Sequence, residues 1–260
     1  MSIIYGPVPS WRLGRSLGID LLSTQGKTCS FDCVYCQLGR TVDFTTERKE
    51  FVSIPSLVLE LGRVKGISAD YATFSGVGEP TLASNLGQAI KIVKPVLGLP
   101  VAVLTNSSLM AREDVRQELA RADVVVAKLD APNEKLFRAI NRPTAGHSLD
   151  EILKGIRRFR LEFSGKLALQ MMFAEANKDY APEMARVAEQ LSPDEVQLNT
   201  PLRPCAAKPL PLEDISAIRQ AFSGFRNVLT VYEASRPEVM PLNSGETRRR
   251  RPKANRLTFK

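Results

Sequence analysis

The stretch Cys29-Ser30-Phe31-Asp32-Cys33-Val34-Tyr35-Cys36 holds three of the four cysteines of the chain within eight residues, shortly after an apolar run that ends at Leu22. Cysteine thiolates are the usual ligands of iron–sulfur clusters, and cysteines this close together can wrap one cluster. Three thiolates on a four-iron cube leave one iron without a protein ligand and therefore open to chemistry. The C-x3-C-x2-C spacing predicts that Cys29, Cys33 and Cys36 bind a [4Fe-4S] cluster.

Zinc binding and disulfide formation are the alternatives for these cysteines. A zinc ion would need His147 or Cys205 as its fourth ligand. Structural zinc sites usually combine two pairs of closely spaced ligands, and the sequence has no second pair. A disulfide is disfavoured by the odd number of cysteines in the stretch and by an N-terminal sequence without the basic and apolar regions of a signal peptide.

The composition is that of an ordinary globular protein. The chain has 260 residues, of which 43% are hydrophobic and 25% are charged, and a single α/β barrel commonly has this length. No apolar run is long enough to span a membrane. Few cysteines and no membrane span lead us to expect a cytoplasmic protein with no membrane partner.

The positive charge is concentrated at the C-terminal end. The formal net charge is +8, and seven of these charges belong to basic residues after Thr247, where no acidic residue occurs. The sequence therefore predicts a nearly neutral body at residues 1–247 and a basic tail at residues 248–260. RNA is the expected partner of such a tail, and a disordered, solvated tail is the alternative. Arg12 and Arg15 are either solvated or face an anion near the cluster.

Short apolar runs alternate with helical patterns along most of the chain, which is typical of βαβ units and a parallel sheet. The six predicted strands are residues 19–22, 71–74, 101–104, 124–129, 167–173 and 196–198, and residues 227–232 are a candidate for one more. Residues 6–18 are predicted to form an ordered loop. Six units are too few for a closed eight-stranded barrel. The expected fold is therefore α/β, a partial (β/α)6 TIM-type barrel that is open on one side.

A glycine-rich turn, Ser75-Gly76-Val77-Gly78-Glu79-Pro80, follows the second predicted strand. Glycines allow close approach of the backbone, and a carboxylate is a good acceptor for an ammonium group. Together with the cysteine spacing and Tyr35, this turn resembles the radical S-adenosylmethionine (AdoMet) superfamily. The resemblance implies the partial-barrel fold, AdoMet bound at the open iron, and Gly76, Gly78 and Glu79 receiving the AdoMet amino group.

Polar side chains also follow the later strands, at the edge where parallel α/β sheets bind ligands. The candidate AdoMet contacts at this edge are Thr105 and Asn106 (ribose or carboxylate), Lys128 (carboxylate), Asp130 (ribose hydroxyl), Gln170, and Asn199 with Thr200 (adenine). Tyr35, in the cysteine motif, is a further candidate. The adenine contact is implied by the resemblance. A turn or capping role is the alternative for several of these residues.

The segment from Lys128 to Pro143 resembles the subgroup that includes the tRNA wyosine-base synthase-like proteins, although no second set of cysteines precedes Cys29. The resemblance implies reductive cleavage of AdoMet to a 5′-deoxyadenosyl radical, with flavodoxin or ferredoxin as electron donor. RNA is the leading substrate hypothesis, and a peptide or small metabolite is the alternative. A non-catalytic, zinc-stabilised nucleic-acid-binding protein is the alternative from another class. Cys205 is a candidate donor or acceptor of a hydrogen atom, and no other catalytic residue is predicted.

Overall fold

A computed structural model describes residues 2–253 of the chain. The strands in this part are β1 (Ile4–Ser10), β2 (Gly14–Ile19), β3 (Thr28–Cys29), β4 (Asp43–Phe44), β5 (Tyr71–Phe74), β6 (Val101–Thr105), β7 (Val124–Lys128), β8 (Lys166–Met172), β9 (Glu195–Asn199) and β10 (Val228–Thr230). The α-helices are α1 (Ile54–Arg63), α2 (Leu86–Leu97), α3 (Glu113–Leu119), α4 (Glu134–Asn141), α5 (Leu149–Glu162), α6 (Ala181–Leu191), α7 (Leu212–Ala221) and α8 (Ser244–Arg250).

Eight strands form one sheet in the order β1-β2-β5-β6-β7-β8-β9-β10. All neighbours from β2 to β10 are parallel, and β1 alone among the described strands of this sheet is antiparallel to its neighbour. The sheet curls strongly into an open half-barrel with the helices between its strands. The predicted open partial barrel is therefore confirmed, and β10 is the additional strand that the sequence suggested at residues 227–232.

The prediction for the N-terminal region was wrong, because residues 6–18 belong to a hairpin and not to a loop. β1 and β2 pair through this region, and the first parallel strand ends at Ile19 instead of beginning there. Pro7 and Pro9 masked the strand pattern, but an edge strand such as β1 tolerates proline because one side of its ladder has no partner. Gly18 has a packing role, since a Cβ atom there would lie 2.1–2.6 Å from the ring of Tyr5.

The alternation of side chains along β6 shows how the two faces of the sheet are used. Val101 and Val103 are fully buried in the main core, which includes apolar residues of the helices. Ala102 and Leu104 belong to a second cluster with Leu13, Val124, Val126 and Ala168. The small residues Ala102 and Ala168 are fully buried there. This smaller cluster lies next to the candidate site, since Leu13, Leu104 and Val126 also line cavities there.

The chain returns to the hairpin at its C-terminal end. Asn243 caps α8 by accepting hydrogen bonds from Gly245 N and Glu246 N, and the Thr247 hydroxyl accepts a hydrogen bond of 3.1 Å from Gly6 N. The predicted boundary at residue 247 lies inside this helix. The part of the predicted tail from residue 254 to residue 260 is outside the described residues. Within residues 2–253, no helix has the length and apolarity needed to cross a membrane.

Candidate active site

The three cysteines of the motif share the wall of one cavity of about 180 Å³ at the carboxyl ends of the strands. We call it the cysteine cavity. Seven of the predicted AdoMet-binding residues lie on the same wall: Tyr35, Gly78, Glu79, Thr105, Asn106, Lys128 and Gln170. Residues from five separate segments therefore meet where the sequence placed a cluster and its bound AdoMet.

The glycine-rich turn packs directly against the loop that carries the cysteines. Thr28 N donates to Val77 O at 3.0 Å, and Glu79 N donates to Thr28 O at 3.2 Å. A Cβ atom on Gly78 would lie 1.6 Å from Thr28 O, and one on Gly76 would lie 2.1 Å from the Asp20 carboxylate. Gly78 is therefore required for the contact between the turn and the cysteine loop, and Gly76 for the contact between the turn and Asp20.

Lys27 lies beside the cysteines and has a buried ammonium group without a hydrogen-bond partner in the described part of the chain. Its side chain is 3% exposed, and Asp32 Oδ1 is 4.0 Å from Nζ. Burial works against the ammonium form, but the charges of Cys36, Cys29 and Cys33 outweigh it and raise the pKa of Lys27. A buried cation among three cysteines fits a site that holds a group with negative charge.

Burial makes the thiolate form of the cysteines costly unless a positive charge compensates it. Burial raises the pKa of Cys29 to about 12, and it also raises the pKa of Cys33. Deprotonation therefore needs compensation, which iron provides when a thiolate binds it. Three thiols with an adjacent buried ammonium fit a [4Fe-4S] cluster. In the described part of the chain, no three His, Cys, Asp or Glu side chains gather closely enough to hold a metal ion. A cubane differs from a single ion because each thiolate binds a different corner.

Glu79 is buried at the centre of the polar wall and ties two βα turns together. Its Oε1 atom accepts hydrogen bonds from Thr81 N, the Thr81 hydroxyl and the Thr105 hydroxyl, and Oε2 accepts one of 2.6 Å from Asn106 N. Burial raises the pKa of Glu79, although these hydrogen bonds oppose the effect. Oε2 retains room for one more donor, since each carboxylate oxygen has two lone pairs.

Asn106 links the polar wall to the cysteines. Its Nδ2 group donates to Ser30 Oγ at 2.9 Å and lies 3.5 Å from Cys29 Sγ, while Oδ1 accepts from Ser108 N. The side chain is thus held in one orientation beside the first cysteine. Thr105 is buried and its hydroxyl is taken by Glu79. Their predicted contact with AdoMet stays a prediction.

Lys128 and Gln170 form the far side of the cysteine cavity. Lys128 Nζ lies 3.2 Å from Gln170 Oε1 and 3.5 Å from Asp130 Oδ1, and it lies over the ring of Tyr35 at 4.6 Å. Gln170 is 8% exposed, and its Nε2 has no hydrogen-bond partner among residues 2–253. A buried amide donor without a partner is costly unless a ligand accepts its hydrogen bond.

Asp130 follows β7, and its carboxylate is occupied by contacts within the protein; its predicted contact with a ribose hydroxyl stays a prediction. Its carboxylate accepts hydrogen bonds from the Tyr35 hydroxyl, Asn141 Nδ2 and Met172 N and also pairs with Lys128. It is 2% exposed and does not line the cysteine cavity, so its acceptor positions are used inside the protein. In this structure, Asp130 holds Tyr35 and the cysteine loop in place.

Asn141 was missed as a site residue. One Nδ2 group contacts Asp130 Oδ2 at 2.8 Å and lies 3.5 Å from Cys33 Sγ. Asn141 lies in the segment from Lys128 to Pro143, which in the sequence indicated only a family resemblance. No local pattern indicated that the end of α4 contacts the cysteine loop. Lys27, two residues before Cys29, gave a better signal, because a lysine beside a thiolate cluster supplies compensating charge.

Gly76, Asn199 and Thr200 lie on the wall of a second cavity of about 290 Å³, which we call the arginine cavity. Its wall includes five arginines: Arg12, Arg203, Arg236, Arg250 and Arg251. The two cavities adjoin and share Arg12, Tyr35, Cys36 and Leu104. Arg15 lies elsewhere and pairs with Asp70 at 2.7 Å.

The basic residues after Thr247 contact the body of the protein. Arg250 is completely buried, with Nε 2.7 Å from Asp20 Oδ2 and Nη1 2.6 Å from Glu246 Oε2. Arg249 donates to Thr24 O, and Arg251 donates to Pro9 O. Among the described basic residues of this segment, Arg248 and Lys253 are exposed. RNA binding by this segment stays a prediction.

The two candidates for a fourth zinc ligand have other contacts. The Cys205 thiol contacts Ala207 O at 3.1 Å and lines neither cavity. The His147 ring packs edge-on against Phe31, with Nδ1 3.0 Å from the Thr144 hydroxyl. Burial lowers the pKa of His147. A hydrogen-atom transfer role for Cys205 stays a prediction.

The arrangement of the cysteines and the polar residues agrees with the family to which the sequence is similar. The family model of the Radical SAM superfamily matches residues 25–188. The chain belongs to this superfamily. It is 40% identical over 236 residues to a UPF0026 protein of Methanocaldococcus jannaschii, and this alignment covers 88% of this chain and 73% of the relative. A UPF0026 protein of Synechocystis sp. is 42% identical over 211 residues, covering 81% of this chain and 78% of the relative.

A solved structure confirms the fold. The structure of TYW1 with a lysine-pyruvate adduct bound has a TM-score of 0.62 and 17% sequence identity, covering 81% of this chain and 73% of that chain. Membership in the radical SAM superfamily makes this chain an enzyme of that class, whose cofactors are a [4Fe-4S] cluster and AdoMet.

Proposed function

We propose that this enzyme cleaves AdoMet reductively and uses the products to remove a hydrogen atom from an anionic substrate bound beside the cysteine cavity. One observation supports this above all: the three cysteines and seven candidate AdoMet contacts share one wall. Cys29, Cys33 and Cys36 would hold the cluster, which when reduced would supply the one electron needed to break the sulfur–C5′ bond of AdoMet, and the deoxyadenosyl product would take the hydrogen atom.

The protein side chains would bind and orient the AdoMet. Glu79 Oε2 has a free acceptor position for the ammonium group, and Gln170 Nε2 offers a free donor on the opposite wall. Lys128 supplies a positive charge for the AdoMet carboxylate. Asp130 and Asn141 would act indirectly. They would position Tyr35 and the cysteine loop.

The experiment is anaerobic incubation of the reconstituted protein with AdoMet and dithionite. We expect 5′-deoxyadenosine and methionine in equal amounts, and neither product from the Cys36→Ala variant. Formation of the two products at the same rate by the variant would contradict the proposal.

The electron donor and the cellular location are part of the same proposal. We infer a small acidic carrier such as flavodoxin or ferredoxin, because Cys36 is partly exposed and Arg40 beside it is 84% exposed. All four cysteines are free, which suits a reducing cytoplasm.

RNA is the second candidate substrate. The observation that favours it is the positive charge of the C-terminal segment, of which Arg248 faces solvent. Binding of RNA through phosphate contacts must weaken steeply with salt. An RNA affinity that is independent of salt would contradict this candidate.

A further inference from the structure

In the described part of the chain, four of the five arginines of the arginine cavity have no carboxylate partner: Arg203, Arg236 and Arg251 donate to backbone carbonyls, and Arg12 lies over the Trp11 ring. Among residues 2–253, Arg12, Arg203, Arg236 and Arg251 have no carboxylate within 4.0 Å, and Arg250 alone of the five is ion-paired. No acidic side chain lines the cavity. Arg236 is exposed, whereas Arg12, Arg203 and Arg251 are partly buried. Partly buried charges are normally paired, so these three guanidinium groups indicate a missing anion at the cavity.

The guanidinium groups are close enough to repel one another. Burial and then the charge of Arg251 lower the pKa of Arg12 to about 10. Burial lowers the pKa of Arg203 to about 9, with further contributions from Arg251, Arg236 and Arg12. Burial also lowers the pKa of Arg251 to about 10. Arg12 Nε is buried without a hydrogen-bond partner. The fold therefore maintains an unfavourable concentration of positive charge at this cavity.

We propose that the arginine cavity binds the phosphate group of a small phosphorylated substrate, held beside an AdoMet whose methionine part lies in the cysteine cavity. The binding of the anion stands on the arginines alone, whereas its role as substrate rests on the proposed function. Guanidinium groups bind phosphate oxygens in pairs, and a phosphate monoester or diphosphate neutralises more charge than a carboxylate does. AdoMet itself carries a net positive charge and cannot neutralise four guanidinium groups.

The position of the cavity favours a small molecule over a long RNA. Its volume is about 290 Å³, and its wall is completed by Arg250 and Arg251, which the C-terminal segment brings over the strand ends. The hydroxyl groups of Ser16 and Thr73 are hydrogen-bonded to each other and that of Ser75 to Tyr5, and they give this cavity a polar wall. A phosphate bound here would place the rest of the substrate toward Tyr35 and Cys36, which both cavities share.

The test uses the anaerobically reconstituted holoenzyme with AdoMet, and pyrophosphate as the probe. Calorimetry and thermal unfolding are measured for the wild type, Arg203→Gln, Arg236→Gln and the matched control Arg186→Gln, whose side chain is 69% exposed on α6. We expect pyrophosphate to bind the wild type and the control alike. Each cavity variant should bind about tenfold or more weakly, because a charge-assisted hydrogen bond is lost.

A second comparison tests the small-molecule part of the proposal. AMP should bind the wild type about tenfold or more tightly than adenosine, and Arg203→Gln should abolish most of this difference. Equal affinities of AMP and adenosine would overturn the proposal, as would equal pyrophosphate binding by the wild type and both cavity variants. Loss of AdoMet binding by Arg203→Gln would assign the arginine to AdoMet and overturn it too.

RNA provides the remaining outcome. If a transfer RNA bound the wild type and pyrophosphate did not compete with it, the cavity would not be the anion site and the proposal would be wrong. Pyrophosphate binding that depends on Arg203, in a protein that forms no 5′-deoxyadenosine, would contradict the proposed function and support the anion site.

Discussion

The cysteine cavity takes its three thiols from eight consecutive residues, whereas the arginine cavity takes its guanidinium groups from positions 12, 203, 236, 250 and 251. The cysteine motif is recognisable because one loop must wrap one cluster. The arginines are scattered because the hairpin, two loops and α8 each contribute to one end of the sheet. Sites for an inorganic group are thus apparent in the sequence, while a site assembled by the fold is not.

Loss of a cysteine should have the largest effect and should separate the two cavities. Replacing Cys29, Cys33 or Cys36 with alanine is expected to remove the cluster, because each thiolate binds a different iron. Iron and acid-labile sulfide should fall from about four each per chain to near zero. Pyrophosphate binding should persist in these variants.

The control for this experiment is Cys205→Ala, since Cys205 lies on neither cavity wall. It should retain the full complement of iron. If this variant alone lost its iron, the assignment of the three ligands would be wrong.

Arg250→Met should affect the arginine cavity and the stability of the whole protein. Arg250 and Asp20 are both almost completely buried, and removal of one partner leaves the other charge unpaired. The free energy of unfolding should fall by about 3–5 kcal/mol in urea titrations. Arg248→Met, two residues away and exposed, is the matched control and should be nearly neutral. A loss below about 1 kcal/mol for Arg250→Met would show that the ion pair between α8 and Asp20 contributes little to the stability of the protein.

Glu79→Gln should weaken AdoMet binding by about 1.5–3 kcal/mol, because the ammonium loses a charged acceptor. Calorimetry measures the effect, and the exposed Glu50→Gln is the control. A variant with unchanged affinity would remove Glu79 from the AdoMet site.

Glu79 should make AdoMet affinity and protein stability depend on pH in opposite directions. Burial raises the pKa of Glu79, so AdoMet affinity should fall on acidification earlier than for an ordinary carboxylate. The folded state holds this proton more tightly than the unfolded chain does. The contribution of Glu79 to stability is therefore greatest below its unfolded pKa and is lost as the pH rises through its folded pKa.

Gln170→Leu should have the smallest effect. The substitution removes a neutral donor that has no protein partner, so AdoMet affinity should fall only about threefold to tenfold. Stability should not fall below that of the exposed control Gln220→Leu. Unchanged affinity together with marked destabilisation would give Gln170 a packing role instead.

Much of the fold was predictable because the parallel strands are short apolar runs separated by helical patterns. β6, β7 and β8 contain runs of Val, Leu and Ala that are mostly buried on both faces of the sheet. The hairpin of β1 and β2 was not predictable, since its prolines and glycines are typical of a loop and its stability depends on Tyr5 packing over Gly18.

The sequence by itself predicted the cysteine motif, the glycine-rich turn, the parallel strands from β5 to β9 and the superfamily. These features are local, because a cluster loop and a βα turn each need a fixed pattern within a few residues. Tertiary structure decided that Asp130 holds Tyr35, that Lys27 is buried among the thiols, and that Arg250 pairs with Asp20. Such contacts join residues up to 230 positions apart, where burial and charge select the partner and no local pattern records it.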